Sequence, residues 1–350
     1  MTSVGPIRLT RRWWKCRNGD EDGGYLVDQL LGVDGYLSRL LQKQLCLLGA
    51  EVSFEKVKRW FKHVKGVHIG AETGRHCCQR HGAKMAAWQP TDEAAAAQFA
   101  KSDGDVEFLV DAGKVNTREA GWKDLKIASF QRRPRAEPAE PGAWCERELP
   151  RPTVRVAFAA IAPAKRFRRP WRRWASRLGI RRTDQIHALG DGASWIWRSV
   201  EASLGRCRET LDVYHALEHI AAAGQALYGR ETAGSKAFLE KGRELLVGEG
   251  WAGLTRLVGE TLDDPEVKGH RDELEKLTNY FAKHIGRLDY ATNLTEGRAI
   301  GSGPIEGWAK TLGLRLKSRG ARWKKRNVGP MAALVCVQAT DQWDSYWKVA

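Results

Sequence analysis

The 350-residue sequence has no apolar run close to the roughly 20 residues that a membrane-spanning helix requires. Its first residues lack the basic segment, apolar stretch and small-residue cleavage site of a secretory signal peptide. The seven cysteines are odd in number and scattered, which argues against a disulfide framework and suits a reducing compartment. We therefore expect a soluble, cytoplasmic protein without a membrane partner.

Acidic residues are too few to balance the basic ones. The 42 Asp and Glu residues stand against 58 Lys and Arg, which leaves a net charge of +16. Such a surplus attracts polyanions, because each Lys or Arg that neutralises a phosphate releases a condensed counterion. Nucleic acid is the leading class of partner; the alternative is a basic surface without that role. The 15 Trp residues are expected mostly in the core.

Changes in periodicity and composition divide the chain into five segments. They are an N-terminal segment (1–34), a helical domain (35–100), the first part of an α/β core (101–216), an all-helical insertion (217–300) and closing helices of the core (301–350).

Apolar residues at helical spacing between Gly35 and Trp88 predict two helices and a third, short helix from Gly70 to Gly82. Helices joined by short Gly-containing turns are typical of a helix-turn-helix. The third would be the recognition helix, and we predict DNA contacts from three of its side chains: Arg75, Gln79 and Arg80. Since many helical bundles share this spacing, a structural role remains the alternative.

Possible zinc sites are short of ligands. Cys16 has no neighbouring Cys, and Cys77 and His81 supply only two ligands on one helix face. Zinc is therefore not expected.

Two acids follow predicted strands. Residues 106–110 form a short apolar run that ends at Asp111, and residues 185–190 form another that ends at Asp191. Polar groups at strand ends converge at a crevice in α/β sheets, and the small residues after each Asp leave room for a metal ion and a phosphate. Two such carboxylates suit Mg²⁺. The alternative is that each Asp is an ordinary turn residue.

A third acid, Glu306, lies in a glycine-rich segment. Pro304 is predicted at the first helical position, Gly303 at the cap and Glu306 in the first turn. There the carboxylate could either stabilise the helix N-terminus or bind metal, and the spacing does not decide between them.

Asp212 and His215 stand one helical turn apart and could orient an active site. His215 and His219 have the spacing of a zinc pair, but no third ligand is evident. A hydrogen-bonded core histidine is the alternative reading.

Four motifs occur in the order found in one transposase family. They are 189–197 (LGDGASWIW), 211–219 (LDVYHALEH), 301–307 (GSGPIEG) and 315–323 (RLKSRGARW). Upstream, 110–117 (VDAGKVNT) and 121–126 (GWKDLK) are also similar, as is the closing 343–347 (WDSYW). Over about residues 20–348, the chain resembles ISKra-type bacterial insertion-sequence transposases of the Mutator-like DDE group.

The resemblance implies a ribonuclease-H-like catalytic fold with a helical insertion between the second Asp and the Glu. It implies a catalytic and metal-binding triad of Asp111, Asp191 and Glu306, with Mg²⁺ or Mn²⁺ as a pair of ions, and Asp212 and His215 in support. Relatives carry a zinc-ribbon-like stretch before the position of Cys16, so residues 1–34 would be its remnant. The implied partners are transposon-end and target double-stranded DNA, bound by a homo-oligomer at the nucleoid.

Two stretches, 165–182 and 308–326, contain nine and eight Lys or Arg and no acid. We predict that they hold the DNA backbone, although a solvated helix face is the usual explanation of such runs. The side chains assigned to this role are Arg168, Arg169, Arg172, Arg173, Arg315, Lys317, Arg319, Arg322 and Lys324.

Three hypotheses remain open from the sequence. The first is a transposase that cuts insertion-sequence ends and joins the 3′-hydroxyl to target DNA. The second is a nuclease of the same fold that does not join strands. The third is a non-catalytic DNA-binding protein or inactive transposase remnant.

Overall fold

The computed structural model describes residues 1–15, 24–33, 36–181, 185–264, 267 and 269–350. Three residues used in the sequence predictions lie outside these ranges, namely Cys16, Gly35 and Arg182. In the described part of the chain, no helix combines the length and the apolar character that a bilayer crossing demands.

The residues before the sheet are mainly helical. In chain order the elements are β1 (Trp13–Trp14), β2 (Gly24–Tyr25), α1 (Leu26–Leu31), α2 (Arg39–Glu51), α3 (Phe54–Lys65), α4 (Ala71–Trp88) and α5 (Glu93–Lys101), with a 3-10 turn at Gln89–Thr91. Ser38 and Ser53 cap α2 and α3 by accepting backbone N–H bonds, and Gly66 ends α3 in a left-handed conformation. Both helices predicted from the apolar stripes are confirmed.

A mixed five-stranded sheet follows. Its strands are β3 (Asp105–Thr117), β4 (Gly121–Arg133), β5 (Val154–Ala160), β6 (Ile186–Gly190) and β7 (Arg208–Leu211), in the spatial order β5-β4-β3-β6-β7. The first three strands pair antiparallel, whereas β6 runs parallel to β3 and β7 parallel to β6. The mixed α/β class predicted from the sequence is confirmed.

Helices connect the later strands. They are α6 (Ala164–Phe167) and α7 (Trp171–Arg177) before β6, and α8 (Ser194–Leu204) between β6 and β7, with a 3-10 turn at Pro141–Glu146. The segment between β5 and β6 forms two short helices and not one continuous helix. Pro170 lies between them, and a proline cannot continue a helix from the preceding turn.

The rest of the described chain is helical. It comprises α9 (Val213–Tyr228), α10 (Ala233–Glu249), α11 (Trp251–Leu262), α12 (Arg271–Ala282), α13 (Tyr290–Thr295), α14 (Gly303–Leu316), α15 (Lys325–Gln338) and α16 (Gln342–Val349), with a 3-10 turn at Ile285–Arg287. The predicted helical character of the insertion is confirmed for its described residues.

The two faces of the sheet pack into different cores. Val106, Phe108 and Val110 lie in a cluster with α6–α8 and the helical insertion, while Leu109 and Val115 lie in a second cluster with α2–α4 and α14–α16. This alternation is the two-residue period of a strand buried on both faces. The predicted helical domain therefore shares one core with the closing helices.

The third helix, α4, is longer than predicted, because Gly82 does not end it. Gly82 lies in the middle of α4, where a Cβ atom would overlap the backbone carbonyl of Pro330 in α15. The glycine permits this close approach of two helices.

Candidate active site

Asp111 and Asp191 occupy neighbouring positions on two parallel strands. Val110 of β3 pairs with Gly190 of β6, so the next residue on each strand is the aspartate. Adjacent strands lie about 5 Å apart, which brings the two carboxylates together. Each side chain is half-buried and accepts a backbone N–H bond: Asp111 Oδ1 from Ala112 at 2.6 Å and Asp191 Oδ1 from Ala193 at 2.8 Å.

Only one of the two strands ends where it was expected to end. β6 stops at Gly190, which confirms the prediction for Asp191. The expectation that the strand before Asp111 ends there is wrong, since β3 continues to Thr117. It can continue because β4 pairs with it along its whole length, including Asp111 with Ile127. On the other side, pairing with β6 reaches only as far as Val110.

The environment of Asp111 favours its protonated form. Burial raises the pKa of its carboxyl group, and the Ala112 N–H opposes this shift. The charges of Asp191 and Asp212 raise the pKa further, while His215 lowers it. A cation bound here would offset both the cost of burying the charged carboxylate and its repulsion by Asp191 and Asp212.

Glu306 lies in the first turn of α14, as predicted, but the helix begins one residue earlier than expected. Ser302 occupies the cap, Gly303 is the first helical residue and Pro304 the second. The exposed carboxylate has no hydrogen-bond or ion-pair partner among the described residues. Its pKa is raised by partial burial first, then by Asp212 and Asp111. Glu306 therefore lies near Asp212 and Asp111.

Asp212 joins the helices on either side of the site. Its carboxylate is almost fully buried; Oδ1 accepts from the backbone N–H of His215 at 2.8 Å and so caps α9. Oδ2 accepts from the backbone N–H of Ser302 and from its hydroxyl, the latter at 2.7 Å. These bonds fix the start of α14 and thereby the position of Glu306.

His215 lies near the carboxylates of Asp111 and Glu306, but its ion pair is with Glu218. Its Nδ1 is 3.2 Å from the Glu218 carboxylate, and its ring centroid is 5.3 Å from that of His219. Its charge lowers the pKa of Asp111 and of Glu306, which places it near both.

Side chains from the insertion reach the same site and were not foreseen. The ring of Tyr280 in α12 stacks on His219 with centroids 3.6 Å apart, and its buried hydroxyl lies against Gly192 without a hydrogen-bond partner in the described part of the chain. His284 hydrogen-bonds the backbone of Gly192, and burial lowers its pKa to about 4. Nothing in the local sequence around residue 280 points to Asp191.

The predicted DNA-contacting residues differ in exposure. Arg169, Arg172, Arg173, Lys317, Arg319, Arg322 and Lys324 are exposed, and Arg168 is half-buried. Lys317 Nζ would lie 3.7 Å from a Cβ atom at Gly113, two residues beyond Asp111. Arg315, by contrast, is only 3% exposed. Trp171 and Trp174 are buried, as expected for core residues.

The predicted recognition helix α4 is packed more closely than expected. Its Arg75, Gln79 and Arg80 are half-buried, and Arg75 donates to both Glu72 and Gln79. The exposed face of the helix carries His76 and Lys84 instead. Any DNA contact from Arg75 or Gln79 has to form at the edge of the helix.

A buried group of possible metal ligands lies between α2 and α4. Sγ atoms of Cys46 and Cys77 and a ring nitrogen of His81 lie within 4.8 Å of one another. However, His81 hydrogen-bonds Tyr346 Oη at 2.7 Å and Gln42 Oε1 at 2.8 Å, so both ring nitrogens are engaged. Three ligands also do not close a structural zinc site.

Comparison with protein-family models and with curated proteins finds no match to this chain.

Proposed function

We propose that the protein is a DDE transposase of the ISKra type, with Asp111, Asp191 and Glu306 as its catalytic acids. The observation that carries this proposal is the placement of Asp111 and Asp191 side by side where β6 ends, with the Glu306 carboxylate close enough to Asp111 for their charges to interact. Acids side by side on neighbouring strands are suited to phosphoryl transfer, because they can share cations that neutralise a phosphate.

The fold is proposed to be ribonuclease-H-like. What supports this is the five-stranded mixed sheet, with an antiparallel β3–β5 unit followed by two parallel strands. The helical block α9–α13, which separates Asp191 from Glu306 along the chain, supports it as well.

The donor set fits Mg²⁺ or Mn²⁺. The carboxylates of Asp111, Asp191 and Glu306 are hard oxygen donors, and no Lys or Arg forms an ion pair with them among the described residues. The raised pKa values of Asp111 and Glu306 show that their charged forms lack compensation. A pair of such ions held by Asp111, Asp191 and Glu306 would activate a hydroxyl nucleophile and stabilise the leaving oxygen.

The residues of the chain then have distinct roles. Asp212 positions Glu306 through Ser302, and the exposed arginines of 165–181 and 317–324 hold the DNA backbone. Water attacks a phosphodiester at the transposon end and releases a 3′-hydroxyl. That hydroxyl attacks a phosphodiester of the target, displaces a 3′-oxygen of the target strand and leaves the strands joined. The working form is proposed to be a homo-oligomer on DNA in the cytoplasm.

The test is Asp191→Asn, measured in Mg²⁺-dependent cleavage of duplex DNA that carries the element's ends. We expect cleavage to be lost and DNA binding in EDTA to be retained, because the substitution removes a charge without changing the shape of the side chain. Asp263→Asn, an exposed position on the insertion, is the matched control. Cleavage by the Asp191→Asn variant would remove this residue from the triad.

A second assay separates the three hypotheses. With a target plasmid present, a transposase gives joined product, whereas a nuclease of the same fold gives only cut ends. Binding without any metal-dependent nicking by the wild-type protein would instead indicate a non-catalytic DNA-binding protein.

A further inference from the structure

A basic cleft lies at the C-terminal end of β3, beyond Asp111. It has a volume of about 480 Å³ and forms between the start of α3, the edge of α4, the β3–β4 turn and the loop after α14. Six cationic side chains line it: Arg75, Arg118, Arg315, Arg319, Arg322 and Lys324. The one acidic side chain there, Glu72, is paired with Arg75.

Arg315 provides a buried positive charge at this cleft. Its guanidinium stacks between the rings of Phe54 and Trp323, at 4.6 and 4.9 Å from their centroids, and its Nε donates to the Gly49 carbonyl at 2.6 Å. Its Nη2 has no hydrogen-bond partner, and no carboxylate pairs with it among the described residues. Burial lowers its pKa to about 10.

A buried cation without a counter-charge is unfavourable, and proteins usually pair such groups. The aromatic rings on both sides of Arg315 offset this only in part. The other cations of the cleft have the same sign and Glu72 is paired with Arg75, so no carboxylate in the described part of the chain offsets the charge of Arg315.

We propose that this cleft binds a backbone phosphodiester of duplex DNA. The inference rests on the proposed function and extends it to a defined phosphate site, separate from the catalytic acids. In this site Arg118 is a phosphate contact that the sequence did not indicate. Arg315 acts as a buried counter-charge and not as a surface contact.

The cleft is rigidly connected to the acids by β3. Trp323 donates its N–H to the Asn116 carbonyl at 3.1 Å, and Arg118 donates to the Trp323 carbonyl at 2.8 Å, which fixes the loop to the strand end. Asp111 and Arg118 are seven residues apart on or next to this strand, about 20 Å at the rise of an extended chain. That is about six nucleotide steps along a duplex, so one DNA segment can contact both sites.

The experiment measures equilibrium binding of a short duplex oligonucleotide, in EDTA and over a range of salt concentrations. The variants are Arg319→Ala and Arg322→Ala, which are exposed and should not perturb folding, with Arg230→Ala on the insertion as the charge-matched control. Each cleft variant should lower the slope of log K against log salt by about one and weaken binding about eightfold at 0.1 M salt. The Arg230→Ala variant should behave as wild type. Cleft variants indistinguishable from Arg230→Ala would overturn the proposal.

Two further arms separate the possible outcomes. If inorganic phosphate binds to the wild type and not to the cleft variants, while the DNA slopes are unchanged, the cleft is a site for free phosphate and the proposal is wrong. Because EDTA suppresses cleavage, a slope change supports the cleft even if Asp191→Asn still cuts DNA, in which case only the catalytic assignment fails.

Discussion

The Asp212 carboxylate accepts hydrogen bonds from both the backbone N–H and the hydroxyl of Ser302, the N-cap residue of the helix carrying Glu306. The same carboxylate caps the helix carrying His215. A single buried acid thus sets the position of an exposed one. Both carboxylate oxygens of Asp212 accept hydrogen bonds from the chain, which supports a positioning role for this residue.

Asp212→Ala should therefore reduce both stability and cleavage. Loss of the cap costs about 1 kcal/mol, and the unsatisfied Ser302 groups cost about 1–3 kcal/mol more. Cleavage should fall beyond what the loss of folded protein explains, because α14 is released from the site. Urea unfolding and single-turnover cleavage at a temperature where the variant is folded measure the two effects. Ser302→Ala keeps the backbone hydrogen bond, so it should lower the free energy of unfolding by only about 1 kcal/mol and retain most cleavage. Equal losses in both variants would contradict a positioning role for Asp212.

Because Asp111 and Asp191 repel each other, we expect both the neutralisation of Asp111 and the binding of Mg²⁺ to change the free energy of unfolding. Asp111→Asn should raise the free energy of unfolding in EDTA, because burial and Asp191 both disfavour the charged carboxylate. Mg²⁺ at tenfold excess over its dissociation constant should stabilise the wild type by about 1.4 kcal/mol and the variant much less. Thermal unfolding with and without Mg²⁺ tests this. An equal Mg²⁺ effect on both proteins would place the ions elsewhere.

The sequence predicts the strand end before Asp191 correctly and the strand end at Asp111 wrongly, for a physical reason. The 185–190 run has a local signal, since an apolar stretch ends in Asp-Gly, and β6 does end there. The continuation of β3 past Asp111 depends on pairing with β4, and a local pattern contains no information about pairing.

Long-range contacts account for the other differences. Tyr280 reaches Gly192 only through the fold of the insertion. Arg315 appears in a basic run that is typical of surfaces, yet its guanidinium lies between two aromatic rings. The local sequence around Gly82 favours a helix end, but packing of α4 against α15 keeps the residues on both sides of Gly82 helical. Burial and partners of this kind are properties of the folded chain.

Gly192→Ala tests the contact between the insertion and the acids. A Cβ atom there would overlap the hydroxyl and ring of Tyr280, so we expect a loss of about 1–3 kcal/mol in the free energy of unfolding. Cleavage should fall as well, because the backbone next to Asp191 shifts. Gly259→Ala in α11, where nothing lies within 4 Å of the new atom, should be stabilising by about 0.4–1 kcal/mol.

A double-mutant cycle tests whether Tyr280 is the residue that conflicts with a side chain at position 192. Tyr280→Ala removes the stacking on His219 and is destabilising by itself. Combined with Gly192→Ala, the total loss should be smaller than the sum of the single losses by about 0.5–3 kcal/mol. Additive losses would show that the alanine at position 192 is not in conflict with Tyr280.

His187, buried in β6 four residues before Asp191, links stability to pH. Its Nε2 is 2.9 Å from Thr210 Oγ1, and burial, together with Arg298 and Arg208, lowers its pKa from 6.5 to about 3. Between these values the unfolded chain binds a proton that the folded chain does not bind. Stability linked to His187 is therefore complete above about pH 6.5 and is lost as the pH falls towards 3.

His187→Gln removes this proton linkage while keeping a side chain that can hydrogen-bond Thr210. Between about pH 6 and pH 4, the slope of the free energy of unfolding against pH should be smaller in the variant by up to about 1.4 kcal/mol per pH unit. Denaturant unfolding at a series of pH values measures it. The exposed His63→Gln serves as the control and should leave the slope unchanged, because that side chain is in water in both states. Parallel curves for wild type and His187→Gln would mean that His187 can take up its proton in the folded protein.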